Sequence, residues 1–434
     1  MKSSNFQIII IVVFVFAAVI GLFVFSGKLP LGKNNKSPVS GGTVVLWGTV
    51  NSSDISSEID NFNKANPTYV VTYVQKSADT YNQDLLSALA SGVGPDIYFL
   101  PDNLVYTYKN RITKVPYSSF PLNAYKNDFI GAGDVFLTSG GILAFPISVD
   151  PMVMYYNQTT LDSNAIVYPP QYWDEFANLV PILTQKDDSK NIISSAVALG
   201  QFSNITHAKD ILSTLFMQTG DPIITEQNGN FVSVLGDSNY SQKLADALTF
   251  YTDFTDPLKN TYSWNRSLQE SRDAFSSESL AFYFGFASEL KYLQNKNPNE
   301  NFQVAPMPQL RDSKSKITLG RVTGIAVSSF SKNLNSAFIV ASLMSTGDFS
   351  GQYAKISGTI PVRRELLAVK PTDEYSPVFY DSALYAKSWL DPSPSTTDNI
   401  FSYMVNSILS NSLNAAQAIK DASSKLTFAI VSTK

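Results

Sequence analysis

Apolar residues follow three rhythms along this chain. The first is continuous. From Ser3 to Gly27 no residue is charged, and IIIIVVFVFAAVIGLFVF would be apolar on every side of a helix. That pattern fits a bilayer-spanning helix, for which about 20 residues are needed, better than a buried core helix with its single apolar stripe. A cleavable signal peptide usually has an apolar stretch of only roughly 7–15 residues. Residues 1–27 are therefore expected to form an uncleaved signal anchor, with VFS before Gly27 as the alternative cleavage point. SGKLPLGKNNKSPVSGG (26–42) predicts a flexible linker over 28–42. Lys2 lies on one side of the apolar run and Lys28, Lys33 and Lys36 on the other, so charge leaves its orientation open.

From residue 43 the other two rhythms alternate. TVVLWG (43–48), YVVTYV (69–74) and PDIYFL (95–100) read as strands, the last apolar throughout, as when both faces are buried. Between them, Ile55, Ile59 and Phe62 recur at helical spacing behind Ser52 or Ser53 as N-cap, and YNQDLLSALASG (81–92) is a helix stopped by Gly92. The alternation predicts a parallel sheet, with ligands beyond the carboxyl ends of its strands. Trp47 to Asp54, Ser77 and Asp79, and Pro101-Asp102-Asn103 fall at such ends. The theme returns later in the chain. Residues 170–183, 243–255 and 335–345 read as helices, and 302–310, broken by two prolines, and 321–329 as strands. SLAFYFGFASELKYL (279–293) reads as a strand turning into a helix through Gly285, and SGTIPVRREL (357–366) as a turn and crossover. One stretch is anomalous. In ILAFPISVDPMVMYYN (142–157), Asp150-Pro151 cuts an otherwise apolar strand.

At 434 residues the chain exceeds one ordinary core, so two domains are expected. Its net charge of −4 leaves no basic footprint, and no nucleic-acid partner is expected. With no cysteine there is no disulfide, thiolate metal site, Cys nucleophile or Cys-linked lipid. A single histidine, His207, excludes a multi-His zinc site. No nucleophile-elbow motif accompanies it, so NITHAKDI reads as a partly exposed histidine at a helix start. Neither a cofactor nor a metal is expected.

Six landmarks then occur in order: GPDIYFLPDN, GILAFPISVDPMVMYYN, PPQYWDEF, FSSESLAFYFGF, FQVAPMPQL with LGRVTGIAVSSFSKNLNSAF, and SGTIPVRREL. Together, over residues 43 to 430, they resemble the extracellular solute-binding proteins of ABC importers, and most of all the maltose-binding-protein-like, sugar-binding group. The resemblance implies a periplasmic-binding-protein-like α/β fold of two discontinuous lobes, 43–150 with 306–362 and 151–305 with 363–434, joined by crossovers. Asp150 and Pro151 would stand at the first crossover, Pro306 and Pro308 at the second, and Pro361 at the third. An edge-strand bulge is the competing reading of the first. The implied function is non-enzymatic. A small solute, most of all a sugar or oligosaccharide, is captured by hinge closure and passed to importer permease subunits. The implied molecule is a monomer, anchored by its N-terminal helix at the extracytoplasmic face of the bacterial membrane. The absence of a lipid-attachment cysteine departs from many relatives.

Sugar sites combine carboxylates or amides with flat aromatics. Trp47 either stacks on a ligand or packs in the core, and Asp102 ends the third strand where a ligand or a helix N-terminus would satisfy it. By resemblance, Asp150 is a ligand-contacting carboxylate, and Gln201 and Phe202 lie on a ligand loop. Tyr283 and Phe286 flank Gly285, where relatives carry a small-aromatic pair, although Phe here replaces Trp. Arg321 interrupts what is commonly a Gly-Gly pair and either binds an acidic group or bridges the lobes. Trp389, in YAKSWLDP, is a candidate lid aromatic. Tyr155-Tyr156 reads as packing rather than a ferric site, and Asp174-Glu175 as acids suited to a helix start rather than a catalytic couple. Two rivals remain: a tethered receptor or adhesin built on the same lobes, and a secreted glycoside hydrolase using Asp102 and Asp150.

Overall fold

The strand expected at 43–48 forms at Thr43–Gly48, with Val44 and Leu46 buried. Helix Ser52–Ala65 follows and buries Ile55, Ile59 and Phe62, the three residues whose spacing announced it. Its cap is not the expected serine. Ser52 already lies in the first turn, and its N–H donates to Gln75 Oε1 (2.8 Å), so an orphan donor is satisfied from the neighbouring strand Val70–Gln75. Helix Tyr81–Ala90 ends before Gly92, whose φ of 69° suits the residue without a Cβ. Strand Ile97–Pro101 then runs with Ile97 to Leu100 buried. The coordinates are a computed structural model that describes residues 42–432 except 221, 238–240, 312 and 314. The expected anchor (1–27) and all of the linker but Gly42 lie outside the described residues, and among those described no helix is long and apolar enough to cross a membrane.

These three strands are parallel neighbours, but the sheet as a whole is mixed, which corrects the all-parallel expectation. Strand Thr318–Val327 joins Ile97–Pro101 antiparallel, and Ala144–Asn157 joins Thr318–Val327 antiparallel in turn. Local alternation fixes only the direction of consecutive βαβ strands. Thr318–Val327 returns from a distant part of the chain, so its direction is set by where that excursion ends. Among the described residues, eleven strands make up this sheet.

Ala144–Asn157 is one unbroken strand of 14 residues, not a strand cut at Asp150. Its pairing changes instead. Ala144 to Pro151 pair with Thr318–Val327, while the rest pairs with Leu280–Phe286 and Phe302–Pro306. Pro151 is the last residue of the first ladder, so its missing N–H falls at a changeover. A register shift opposite Thr323 and Gly324 places Ile147 in a bulge beside Pro146. Pro306 pairs with Val153 and Pro361 with Ser148. Thus the residues expected at three crossovers fall in succession along positions 148–153 of one strand, Pro361 opposite Ser148, then Asp150-Pro151, then Pro306 opposite Val153, with Pro308 two residues beyond Pro306.

Two later expectations shift in detail. The element beginning in PQYWDEF opens as a 3-10 turn, Trp173–Glu175, before helix Phe176–Leu183. Gly285 lies inside strand Leu280–Phe286 rather than at its turn, because any side chain there would collide with the Glu289 carboxylate and the Tyr283 ring. The chain turns after Phe286, through Ala287–Glu289.

Candidate functional site

Where strand Ile97–Pro101 ends, the turn Asp102–Leu104 brings Asp102 and Asn103 to the rim of a cavity of about 860 Å³. This is within the roughly 300–1,000 Å³ usual for small-molecule sites. Strand Thr318–Val327 contributes Leu319 and Arg321, and the loop after strand Ile192–Val197 contributes Phe202, Ser203 and Ile205. The first turn of helix Ala208–Gln218, with His207 before it, forms the next wall. Ser388, Trp389 and Asp391, with the exposed face of helix Pro394–Leu409 (Asp398, Asn399 and Ser402), complete it.

Arg321 dominates the electrostatics. Its Nη2 donates to Asp210 Oδ2 (2.6 Å) and to His207 Nδ1 (3.2 Å), and the guanidinium lies over the Phe286 ring, 3.8 Å from the centroid. The side chain remains 47% exposed. Burial would push Asp210 up, but the guanidinium and His207 hold its carboxyl down at about 2. Asp102 is pushed up to about 6 by burial, against the favourable Ser388 hydroxyl and Val322 and Asn103 N–H groups. Asp150 is likewise raised to about 6 by burial, although Ser288 donates to it from both N–H (2.9 Å) and Oγ (2.6 Å). Lys209 is fully engaged: its ammonium donates to Asp391 Oδ2, the Pro394 carbonyl and Thr397 Oγ1 at 3.1–3.3 Å. Three donors meet three acceptors, so this lysine offers a solute charge but no free N–H.

Of the nine ligand candidates, Asp102, Phe202, Arg321 and Trp389 share the cavity. Trp389 is only 9% exposed and stacks on Phe401 (6.2 Å between centroids, 24° apart), so it is a fixed wall in this conformation. The other five stand elsewhere. Gln201 Nε2 donates to Thr255 Oγ1 (2.6 Å), and the Tyr283 hydroxyl donates to Glu289 (3.1 Å). Phe286 is buried beneath Arg321, and Asp150, buried beside Ser288, is the strand partner of Arg321. Trp47 lies within the first strand, under the Lys76 ammonium (3.7 Å), away from the cavity. Tyr155 is buried with its hydroxyl donating to the Phe286 carbonyl (2.8 Å), as its packing role requires.

Sequence reasoning passed over His207, Lys209, Asp210 and Asp391. His207 is partly exposed at a helix start, as expected, and it also lines the cavity. Its backbone has φ 64°, and its ring is 14% exposed and edge-on to Phe286. His207 and Asp210, three apart at a helix start, were the available signal.

Residues 58–378 match the family model described as bacterial extracellular solute-binding protein. The chain belongs to that family. It is therefore a solute-binding protein rather than a catalyst. Solved structures similar to it include a cyclo/maltodextrin-binding protein complexed with maltotetraose (18% identity, TM-score 0.70, covering 91% of this chain and 98% of that one). The sugar-binding protein MalE from Xanthomonas citri shares 16% identity and a TM-score of 0.71, with 90% and 98% covered. The cyclic alpha-maltosyl-1,6-maltose binding protein from Arthrobacter globiformis shares 14% and 0.72, with 90% and 99% covered. At such identities the likeness is one of fold, the periplasmic-binding-protein-like α/β fold with its mixed sheet. None of the curated proteins matches the chain.

Proposed function

We propose that this solute-binding protein captures a sugar or oligosaccharide in the cavity beside Arg321 by closing two lobes, 43–150 with 306–362 and 151–305 with 363–434. Residues 1–27 anchor it at the extracytoplasmic face of the membrane through the linker 28–42, and the loaded form delivers its solute to the permease subunits of an ABC importer. Asp150-Pro151, Pro306 with Pro308, and Pro361 are the hinge points. The observation that carries this reading is the make-up of the cavity walls. Asp102, Phe202, His207, Arg321, Ser388 and Trp389 all line it, and under the proposed division Asp102 and Arg321 belong to the first lobe and the others to the second. Hydroxyl-rich solutes need such a ring of acceptors and donors with flat aromatic surface nearby, and a solute touching both lobes stabilises the closed state. The similar structures of a maltodextrin-binding protein with maltotetraose and of MalE support the choice of sugar.

The test is a thermal-unfolding screen of the purified chain against maltose, maltotriose, maltotetraose and a panel of amino acids and polyamines. A solute at about 100 times its dissociation constant adds about 2.7 kcal/mol of stability. A shift with maltotriose or maltotetraose, lost in Arg321→Ala, is the expected outcome. A shift with an amino acid or polyamine alone would replace the sugar reading.

A further inference from the structure

His207 makes contacts on both ring nitrogens that leave it one neutral arrangement and one protonated arrangement, and the two treat Arg321 differently. Nε2 lies 3.1 Å from both carboxylate oxygens of Glu289 and donates to them in either state. Nδ1 faces Arg321 Nη2 at 3.2 Å and Asp210 Oδ2 at 3.6 Å. In the neutral ring Nδ1 is an acceptor, so the two hydrogens of Nη2 are both used, one on His207 and one on Asp210. Arg321 is then held at the cavity wall by Nη2, with its guanidinium seated on Phe286. In the protonated ring Nδ1 carries a hydrogen and points it at another donor. The nearest acceptor is Asp210 Oδ2 at 3.6 Å, the same oxygen that accepts from Arg321, so the two cations compete for it.

We propose that His207 is the positioning residue for Arg321, and that proton uptake on its Nδ1 releases Arg321 from its fixed orientation and weakens solute binding. The proposal rests on the cavity being the solute site. By linkage, solute binding favours the neutral ring and expels a proton. The charged surroundings come from several elements. Asp210 lies on the same helix, and Glu289 follows strand Leu280–Phe286. Arg272 donates to Glu289 (3.3 Å), as does the Tyr283 hydroxyl. Asp150 and Asp102 act on Arg321 from the other side, and Lys209 acts on Asp210. Burial pushes the imidazole down, but Asp210 and Glu289 outweigh it and leave His207 above its ordinary 6.5. The switch therefore works above the pH range of a free imidazole. The left-handed backbone of His207, uncommon for a residue with a side chain, fits a position fixed by function.

Because the chain has one histidine, its imidazole signal in NMR of histidine-labelled protein reports this site alone. In the free protein, titration should give a value above 6.5 that rises further in Arg321→Gln and falls in Asp210→Asn. With maltotriose bound, the value should fall by about one unit, equivalent to about tenfold weaker binding at acid than at alkaline pH. His207→Gln supplies the same acceptor and donor without a titrating proton. Whatever its affinity at alkaline pH, it should lose the His207 share of the pH dependence, leaving that of Asp102 and Asp150. A His207 value unmoved by Arg321→Gln, or an unchanged pH profile in His207→Gln, would overturn the proposal. Failure of maltotriose to bind at any pH would remove the sugar reading instead, while the free-protein titrations still decide the coupling.

Discussion

Glu300 ought to weaken this protein at alkaline pH, and the size of the effect follows from its surroundings. The residue precedes strand Phe302–Pro306 and is 8% exposed, with both carboxylate oxygens buried. Burial, and then the like charge of Glu278, push its carboxyl from the ordinary 4.5 up to about 7, with only the Asn157 carboxamide opposing them. At about 1.4 kcal/mol per pH unit, that rise sets an upper limit of about 3.5 kcal/mol on the cost of a charged Glu300, and residual solvent access lowers it to about 2 kcal/mol. The sign follows from linkage. A carboxyl raised in the folded state costs stability in full above pH 7. The cost is relieved as pH falls through 7 toward 4.5, and below 4.5 it is gone. Glu300→Gln keeps the shape and removes the charge. Urea unfolding followed by tryptophan fluorescence should show the variant more stable by about 2 kcal/mol near pH 8.5, with the gap closing by about pH 4.5. A variant less stable than wild type near pH 8.5 would refute the reasoning, since Glu300 would then have a charged partner. So would a gap that is the same at both pH values, which would trace the effect to packing.

Two further substitutions test the walls of the cavity. Lys209→Met should lower stability by about 3–5 kcal/mol, because Asp391, buried and paired at 3.1 Å, would lose this cation. Thermal unfolding reads it, and a loss below about 1 kcal/mol would mean that Thr397 and the Ser393 N–H suffice for Asp391. Gly285→Ala should cost about 1–3 kcal/mol by driving a methyl into Glu289 and Tyr283. It should also move the single histidine signal in NMR, since Glu289 accepts from His207; an unmoved signal would show that the carboxylate does not shift.

How much of this was legible in the sequence depends on how far apart the interacting residues lie. Strand Thr43–Gly48 and the buried face of helix Ser52–Ala65 follow from neighbours a few residues away, so periodicity found them. Asp102 was recognisable because a carboxylate directly after an apolar strand needs a partner, and its partner is Ser388, 286 positions later. Lys209 gave no such signal, since its partner Asp391 lies 182 positions away. Phe286, Tyr283 and Asp150 were placed near the site but on its support rather than its wall. Order along the chain fixes a neighbourhood, whereas side-chain direction depends on which strand pairs with which. The mixed sheet was missed for the same reason. Its deciding ladder joins 144–151 to 320–326, and no local pattern encodes the direction of that meeting.

That same ladder ties the cavity to the proposed hinge. Arg321 and Asp150 are direct partners across it, and Asp150 is bonded through both oxygens to Ser288, in the turn that also carries Glu289. Glu289 in turn holds His207, and His207 and Asp210 hold Arg321. The result is a closed circuit of hydrogen bonds. It runs from the crossover strand to the turn after Leu280–Phe286, on to the start of helix Ala208–Gln218, and back to the strand beside the crossover. Moving Glu289 or Asp210 alone would leave a buried carboxylate short of its partners, at a cost of several kcal/mol. In the closure proposed above, a solute bound to Arg321 would act on the strand that carries Asp150-Pro151 and pairs with Pro361 and Pro306. Contact at the cavity and bending at the hinge then become one event rather than two.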